Sequence, residues 1–168
     1  MNYKDELSAA MTMLGAHPKS VFVGQSVQFG GQAMFPTLDG VPREKRVEFP
    51  VAEELQMGYC TGLAMAGFLP VSIYPRIDFL ILAANQLVNH LDKTFRQKVI
   101  IRCGVGGKKP FDAGPQHSQD HSAALEKMLT NIDVVRLDSA DMILKAYARA
   151  ISSTRSTILV EYMEKYHE

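Results

Sequence analysis

Apolar and polar positions along the chain switch between a helical and an extended rhythm. Leu7, Ala10, Met11 and Leu14 recur at helical spacing, which predicts an amphipathic helix over 2–14 closed by Gly15 and Pro18. The β-branched run "SVFVGQSV" (20–27) predicts a strand. Gly30, Gly31, Pro36, Gly40 and Pro42 then break every period, so 28–45 reads as loop. A brief strand at 46–49 leads to Pro50, which is placed at the opening of a helix, where a missing N–H costs nothing. Further on the pattern predicts a strand over 69–75, a mostly buried helix over 78–93 and a strand over 98–104. A glycine- and proline-broken loop fills 104–118. Helix 119–129, strand 132–138, helix 139–152 capped by Ser139 and strand 156–163 complete the series.

Strands that are apolar almost throughout, alternating with helices, describe an α/β, doubly wound, mainly parallel sheet with helices on both faces. One domain is expected over 1–168, since neither a repeat nor a linker interrupts the pattern. In such folds ligands sit beyond the carboxyl ends of the strands. That rule points to the turn at 50–54, the segment 74–79 and the loop 104–118.

Composition narrows the partners. Lys+Arg and Asp+Glu number 18 each, so no charge excess recommends a nucleic acid or an acidic membrane. No uninterrupted apolar run approaches a membrane span, and "MNYKDEL" carries acids where a signal peptide would be basic. Cys60 and Cys103 lie in apolar company without metal-type spacing, as reduced thiols of a cytoplasmic protein would.

Four features carry candidate chemistry. Glu53 and Glu54 fall in a first helical turn, where dipole compensation alone would explain them. Adjacent helical residues point about 100° apart, so only one of the pair can face the crevice, where a carboxylate could bond a protonated ring nitrogen. "GVGGKKP" lacks the GK[ST] ending of a phosphate loop, and no GxGxxG follows the first strand. His117 and His121 have an HxxxH spacing, yet no HExxH glutamate accompanies them, and His117 in a glycine-rich loop reads better as a proton donor or anion contact. Gly58, Gly62 and Ala66 repeat every four residues, a small ridge open to a helix of the same chain or of a second copy.

"RVEFPVAEELQMGYCTGLAMAGFLPV", "DFLILAANQLVNHLDK" and "GPQHSQDHSAALEKML" together resemble the pyrimidine-binding domain of transketolase-like thiamine diphosphate enzymes. The likeness is greatest to the beta subunit of the 2-oxoacid (pyruvate and branched-chain) dehydrogenase decarboxylase component, and it runs from Tyr3 to Tyr162. The resemblance implies that Glu53 is the glutamate that pairs with the aminopyrimidine of thiamine diphosphate and favours the tautomer that removes the thiazolium proton. It implies that Phe79 packs on the pyrimidine ring and that His117 meets the substrate carboxylate or the intermediate. Tyr74 and Arg76 are added as cofactor contacts from their place beside Phe79, Arg76 as an anion contact.

The departures from the family pattern define the rest of the expectation. No GDG…N element for magnesium and diphosphate is present in the sequence, and the carboxyl-terminal domain of a usual beta subunit has no counterpart after Glu168. Gln25 stands where the family has an acid. The implied protein is one subunit of a split enzyme. A separate subunit would hold Mg2+ and the diphosphate, the chain would pair with its own copy within a heterotetramer, and a small 2-oxo acid or sugar would be the substrate. The rival reading is a non-catalytic binding or scaffold module that retains the fold and the dimer surface.

Overall fold

In the computed structural model, which describes residues 2–108 and 112–167, six strands form one sheet in the order β2-β1-β3-β4-β6-β5, with every neighbouring pair parallel. The strands are β1 (Ser20–Gly24), β2 (Arg46–Glu48), β3 (Leu69–Tyr74), β4 (Ile100–Val105), β5 (Ile132–Arg136) and β6 (Ser156–Tyr162). The central strands β3 and β4 are buried at every position. This is why they read as largely apolar runs rather than as an alternation.

Helices α1 (Tyr3–Ala16) and α5 (Ala140–Ser152) cover one face of the sheet. Leu7, Met11, Leu14, Ile143 and Tyr147 meet Phe22, Val71, Ile73 and Leu159 there. Helices α2 (Glu53–Met65), α3 (Ile77–Ile81) and α4 (Ser122–Met128), with a π-helix at Asn85–Phe95, cover the other face. Met57, Leu80, Leu87, Leu91 and Leu125 pack there on Val23, Ile101, Ile158 and Val160. Burying a side chain of this size contributes roughly 1.5–3 kcal/mol.

Several predicted boundaries move, each for a visible reason. Pro50 does not open α2. Ala52 donates its N–H to the Pro50 carbonyl in a turn, and the first helical residue is Glu53. The helix expected over 78–93 is two elements, because Leu82 and Ala83 close tight turns onto Phe79 and Leu80 before the coil widens into the π-helix. It is also less buried than expected, with Ile81 and Leu82 open to solvent. Strand β1 ends at Gly24, and residues 35–38 and 43–45 of the predicted loop wind into short 3-10 turns. Ser139 holds the cap position of α5, but its hydroxyl donates to Asp141 instead of accepting a helix N–H. Part of the predicted loop 104–118, namely 109–111, lies outside the described residues.

A charged cluster sits inside the first face. The Arg102 guanidinium donates twice to Glu161, at 2.5 and 2.9 Å, and both side chains are fully buried. Tyr147 donates to the same carboxylate at 2.8 Å, and so does Tyr166. Through Tyr166 the network fixes the short 3-10 turn Met163–His167 against the sheet. Glu164 in that turn accepts the backbone N–H of Lys108 at 2.8 Å, tying down the start of the loop that follows β4. At the same carboxyl end of the sheet, the turn after β1 places Ser26 at φ 53. The backbone N–H groups of Ser26, Val27 and Gln28 all donate to the Glu48 carboxylate there, at 2.6, 3.0 and 2.8 Å.

Candidate active site

The carboxyl ends of β1, β3 and β4 bring the predicted residues to one end of the sheet. The last residue of β1 is Gly24, where a Cβ would lie 2.6 Å from the Ile73 carbonyl oxygen. The next residue, Gln25, turns toward the start of α2 and its Nε2 donates to Glu53 Oε1 at 3.4 Å. Glu53 is 8% exposed while its neighbour Glu54 is exposed and accepts from Asn85 at 3.1 Å. The two glutamates thus divide as helix geometry requires, one inward and one outward. Gln56, one turn on, donates to Val23, Ser72 and Ile73, which locks the first turn of α2 onto β1 and β3.

Tyr74 was expected among the cofactor contacts. It is 1% exposed. Its hydroxyl donates to the backbone carbonyl of Glu53 at 3.3 Å. Burial pushes that hydroxyl far above the usual tyrosine range, so it stays protonated and keeps donating. Tyr74 therefore supports Glu53 from behind.

Phe79 and His117 come together directly, edge to face, with ring centroids 5.3 Å apart. They separate two clefts. One, of about 450 Å³, is lined by Asp78, Phe79, Leu82, Gln116, His117 and His121. The other, of about 370 Å³, is lined by Gln32, Pro75, Arg76, Phe79 and His117. Arg76 donates to the Pro75 carbonyl at 2.8 Å; burial lowers its pKa, against the opposite pull of Tyr166 and Asp78. His117 owes its position to Gly106. A Cβ at Gly106 would fall 1.9 Å from the His117 carbonyl oxygen, so only glycine lets the two backbone segments approach this closely. Among the described residues the buried His117 Nδ1 has no hydrogen-bond partner.

Sequence reading weighed His121 only as the second member of an HxxxH pair. In the structure its Nε2 lies 3.3 Å from Asp78 Oδ1. Asp78 was not singled out, although an acid next to the aromatic of interest was visible in the sequence. A separate groove of about 470 Å³ runs between β5 and α5, and none of the predicted residues lines it. Among the described residues no group of three or more His, Cys, Asp or Glu is arranged to hold a metal ion, and no helix is long and apolar enough to cross a membrane.

The exposed face of α2 carries Leu55, Tyr59, Met65 and, just past its end, Phe68. The small ridge divides there. A Cβ built at Gly58 would lie 3.4 Å from the Gln86 side chain of the same chain, while nothing lies within 4 Å of one built at Gly62.

The family profile described as "Transketolase, pyrimidine binding domain" matches residues 6–167. The pyruvate dehydrogenase E1 component subunit beta of Staurastrum punctulatum is 28% identical over 165 residues, covering 89% of this chain and 48% of its own length. The 2-oxoisovalerate dehydrogenase subunit beta of Bacillus subtilis is 27% identical over 137 residues, covering 78% of this chain and 42% of its own. The chain therefore spans about half the length of these relatives or less. Among solved structures, a split-gene transketolase described as an inactive beta4 tetramer superposes with a TM-score of 0.71 at 20% identity, over 97% of this chain and 51% of that one. At that identity the likeness speaks for the fold, and the family match supplies the rest: this chain belongs to the pyrimidine-binding domain family of transketolase-like proteins.

Proposed function

We propose that the chain, acting as one pyrimidine-binding unit in the cytoplasm, is the glutamate-bearing subunit of a split thiamine diphosphate enzyme acting on a 2-oxo acid or a sugar. The observation that carries this reading is the shielded Glu53 carboxylate at the start of α2, held by Gln25 and backed by Tyr74, at the end of the sheet that also carries Phe79 and His117.

The residues present suit one half of the cofactor. A screened carboxylate and an aromatic wall are what an aminopyrimidine needs, and the clefts beside Phe79 leave room for a small substrate. They do not suit the other half. Among the described residues, the three converging amides after β1 are already filled by Glu48, and the diphosphate and its magnesium are assigned to a separate subunit. The split-gene transketolase among the structural neighbours gives this division a precedent.

Glu53 would hold a proton at the pyrimidine ring, Phe79 would orient the ring and His117 would meet the substrate's oxygen atoms. When bound, the cofactor supplies the carbon nucleophile and electron sink that the side chains lack. The exposed Leu55, Tyr59 and Phe68, with the open Gly62, form the face through which two copies would pair.

Reconstitution with a separate subunit that carries the GDG…N element tests the reading. Glu53→Gln should lower turnover at least ~10²-fold while leaving the fold intact, the scale of general acid–base assistance. A variant of near-normal rate removes Glu53 from the chemistry, and robust turnover by the purified chain alone contradicts the division between subunits.

A further inference from the structure

The segment between His117 and α4 places a second imidazole in the substrate cleft, on an unusual support. Asp120 caps the helix, accepting the Ser122 N–H at 2.8 Å, and its other oxygen accepts from Tyr162 at 3.2 Å. His121 occupies the N-cap position but makes no side-chain cap bond, so its ring is released from any part in the helix. That ring instead reaches Asp78, across 43 residues of sequence, and both side chains line the same cleft as Phe79 and His117. Asp78 is largely shielded, with its side chain 14% exposed against 25% for His121. A carboxylate that takes one imidazole nitrogen fixes the ring's tautomer and leaves the other nitrogen to meet a ligand, an arrangement common behind working histidines.

The surroundings select the ligand's chemistry. Around the Phe79 ring stand Arg76 on one side, His117 at the edge and His121 on the other. These are three groups that donate hydrogen bonds and carry, or can take up, positive charge. The carboxylate that lines the cleft with them, Asp78, presents its Oδ1 to His121, while Asp120 is engaged by Ser122 and Tyr162. We propose that His121, positioned by Asp78, is a second imidazole contact for an oxyanion of the substrate: the carboxylate of a 2-oxo acid or the phosphate of a sugar. The proposal rests on the functional reading above for the word substrate, and on the geometry alone for the anion.

The test reads the histidines directly. The full chain, labelled with 15N-histidine, is titrated with pyruvate, with inorganic phosphate and with the uncharged polyol erythritol, following the imidazole resonances. The His117 and His121 signals should move together and saturate with pyruvate, with phosphate or with both, and stay still with erythritol. A response to pyruvate alone identifies the carboxylate, and one to phosphate alone identifies a phosphorylated sugar. His121→Gln should weaken the binding about tenfold, or about 1.4 kcal/mol. Asp78→Asn should move the His121 15N shifts away from a single tautomer, a signature that a merely structural aspartate would not produce. Signals that move at His117 but not at His121, or that follow erythritol equally, overturn the proposal. A silent titration with all three overturns it as well. Because no cofactor is present, a Glu53→Gln enzyme of normal rate would sink the functional reading and leave this result standing.

Discussion

Gly106→Ala is the sharpest local perturbation this architecture offers. The new methyl carbon would lie 1.9 Å from the His117 carbonyl oxygen and 3.1 Å from Arg76 Nε. Reaching an ordinary contact of 3.4 Å means separating two backbone segments by about 1.5 Å. The loop side is the one that can yield, since the β4 side is fastened through the Lys108 N–H to Glu164 while 112–118 is held mainly by its own turns. Overpacking of this kind costs about 1–3 kcal/mol, and a yielding loop puts the figure near the lower end. The melting temperature should fall by roughly 2–4 °C per kcal/mol for a chain of this length. The larger effect is on position. A displacement of about 1 Å at a reacting group can cost ~10² in rate, so the His117 imidazole resonances should shift and reconstituted turnover should drop out of proportion to the lost stability. Gly62→Ala is the matched control, because nothing stands within 4 Å of its Cβ and a helical glycine is replaced. It should stabilise the monomer by roughly 0.5–1 kcal/mol. If Gly106→Ala melts like the parent with unmoved His117 signals, the tight crossing of the two segments is refuted.

Further outcomes follow from other features. Arg102→Met strands the Glu161 carboxylate in the core and should cost roughly 3–5 kcal/mol in urea denaturation; a loss below about 1 kcal/mol would show that the pair is not sealed from water. Asp120 gives a pH-dependent signal. Burial alone would raise its pKa, but hydrogen bonds from Ser122 and Tyr162 outweigh that and lower it from 3.8. The associated stability is complete above 3.8 and disappears as pH falls through the folded-state value. The stability gap between the parent and Asp120→Asn should therefore be flat near neutrality and close in acid; a gap that widens in acid contradicts the assignment. Leu55→Glu on the open face of α2 should lower self-association in sedimentation equilibrium without changing the monomer's melting, whereas an unchanged assembly would move the pairing face elsewhere.

Strand positions were legible because strands buried on both faces of a parallel sheet are mostly apolar, and 69–75, 98–104 and 156–163 follow that pattern with few polar interruptions. Helix boundaries were less so. Pro50 satisfied a local preference, but the turn between Pro50 and Ala52 used its carbonyl first. Nothing in 78–93 announces a widened coil, since the buried Ala83, Leu87 and Leu91 keep a spacing that suits either helix. The inward glutamate could be narrowed to one of two by geometry and chosen by resemblance. The pairing of His121 with Asp78 could not, because its members are brought together only by the sheet. Arg102 and Glu161 did leave a trace: each is a charge inside an otherwise apolar strand, a pattern that calls for a buried partner.

Glu48 has one more consequence. By filling the corner after β1 with its own carboxylate, the chain arrives with that receptor already satisfied. Removing the side chain would expose three aligned donors to whatever anion the buffer contains. The melting point of such a variant would then climb with added sulfate, while the parent, carrying its own plug, would respond far less.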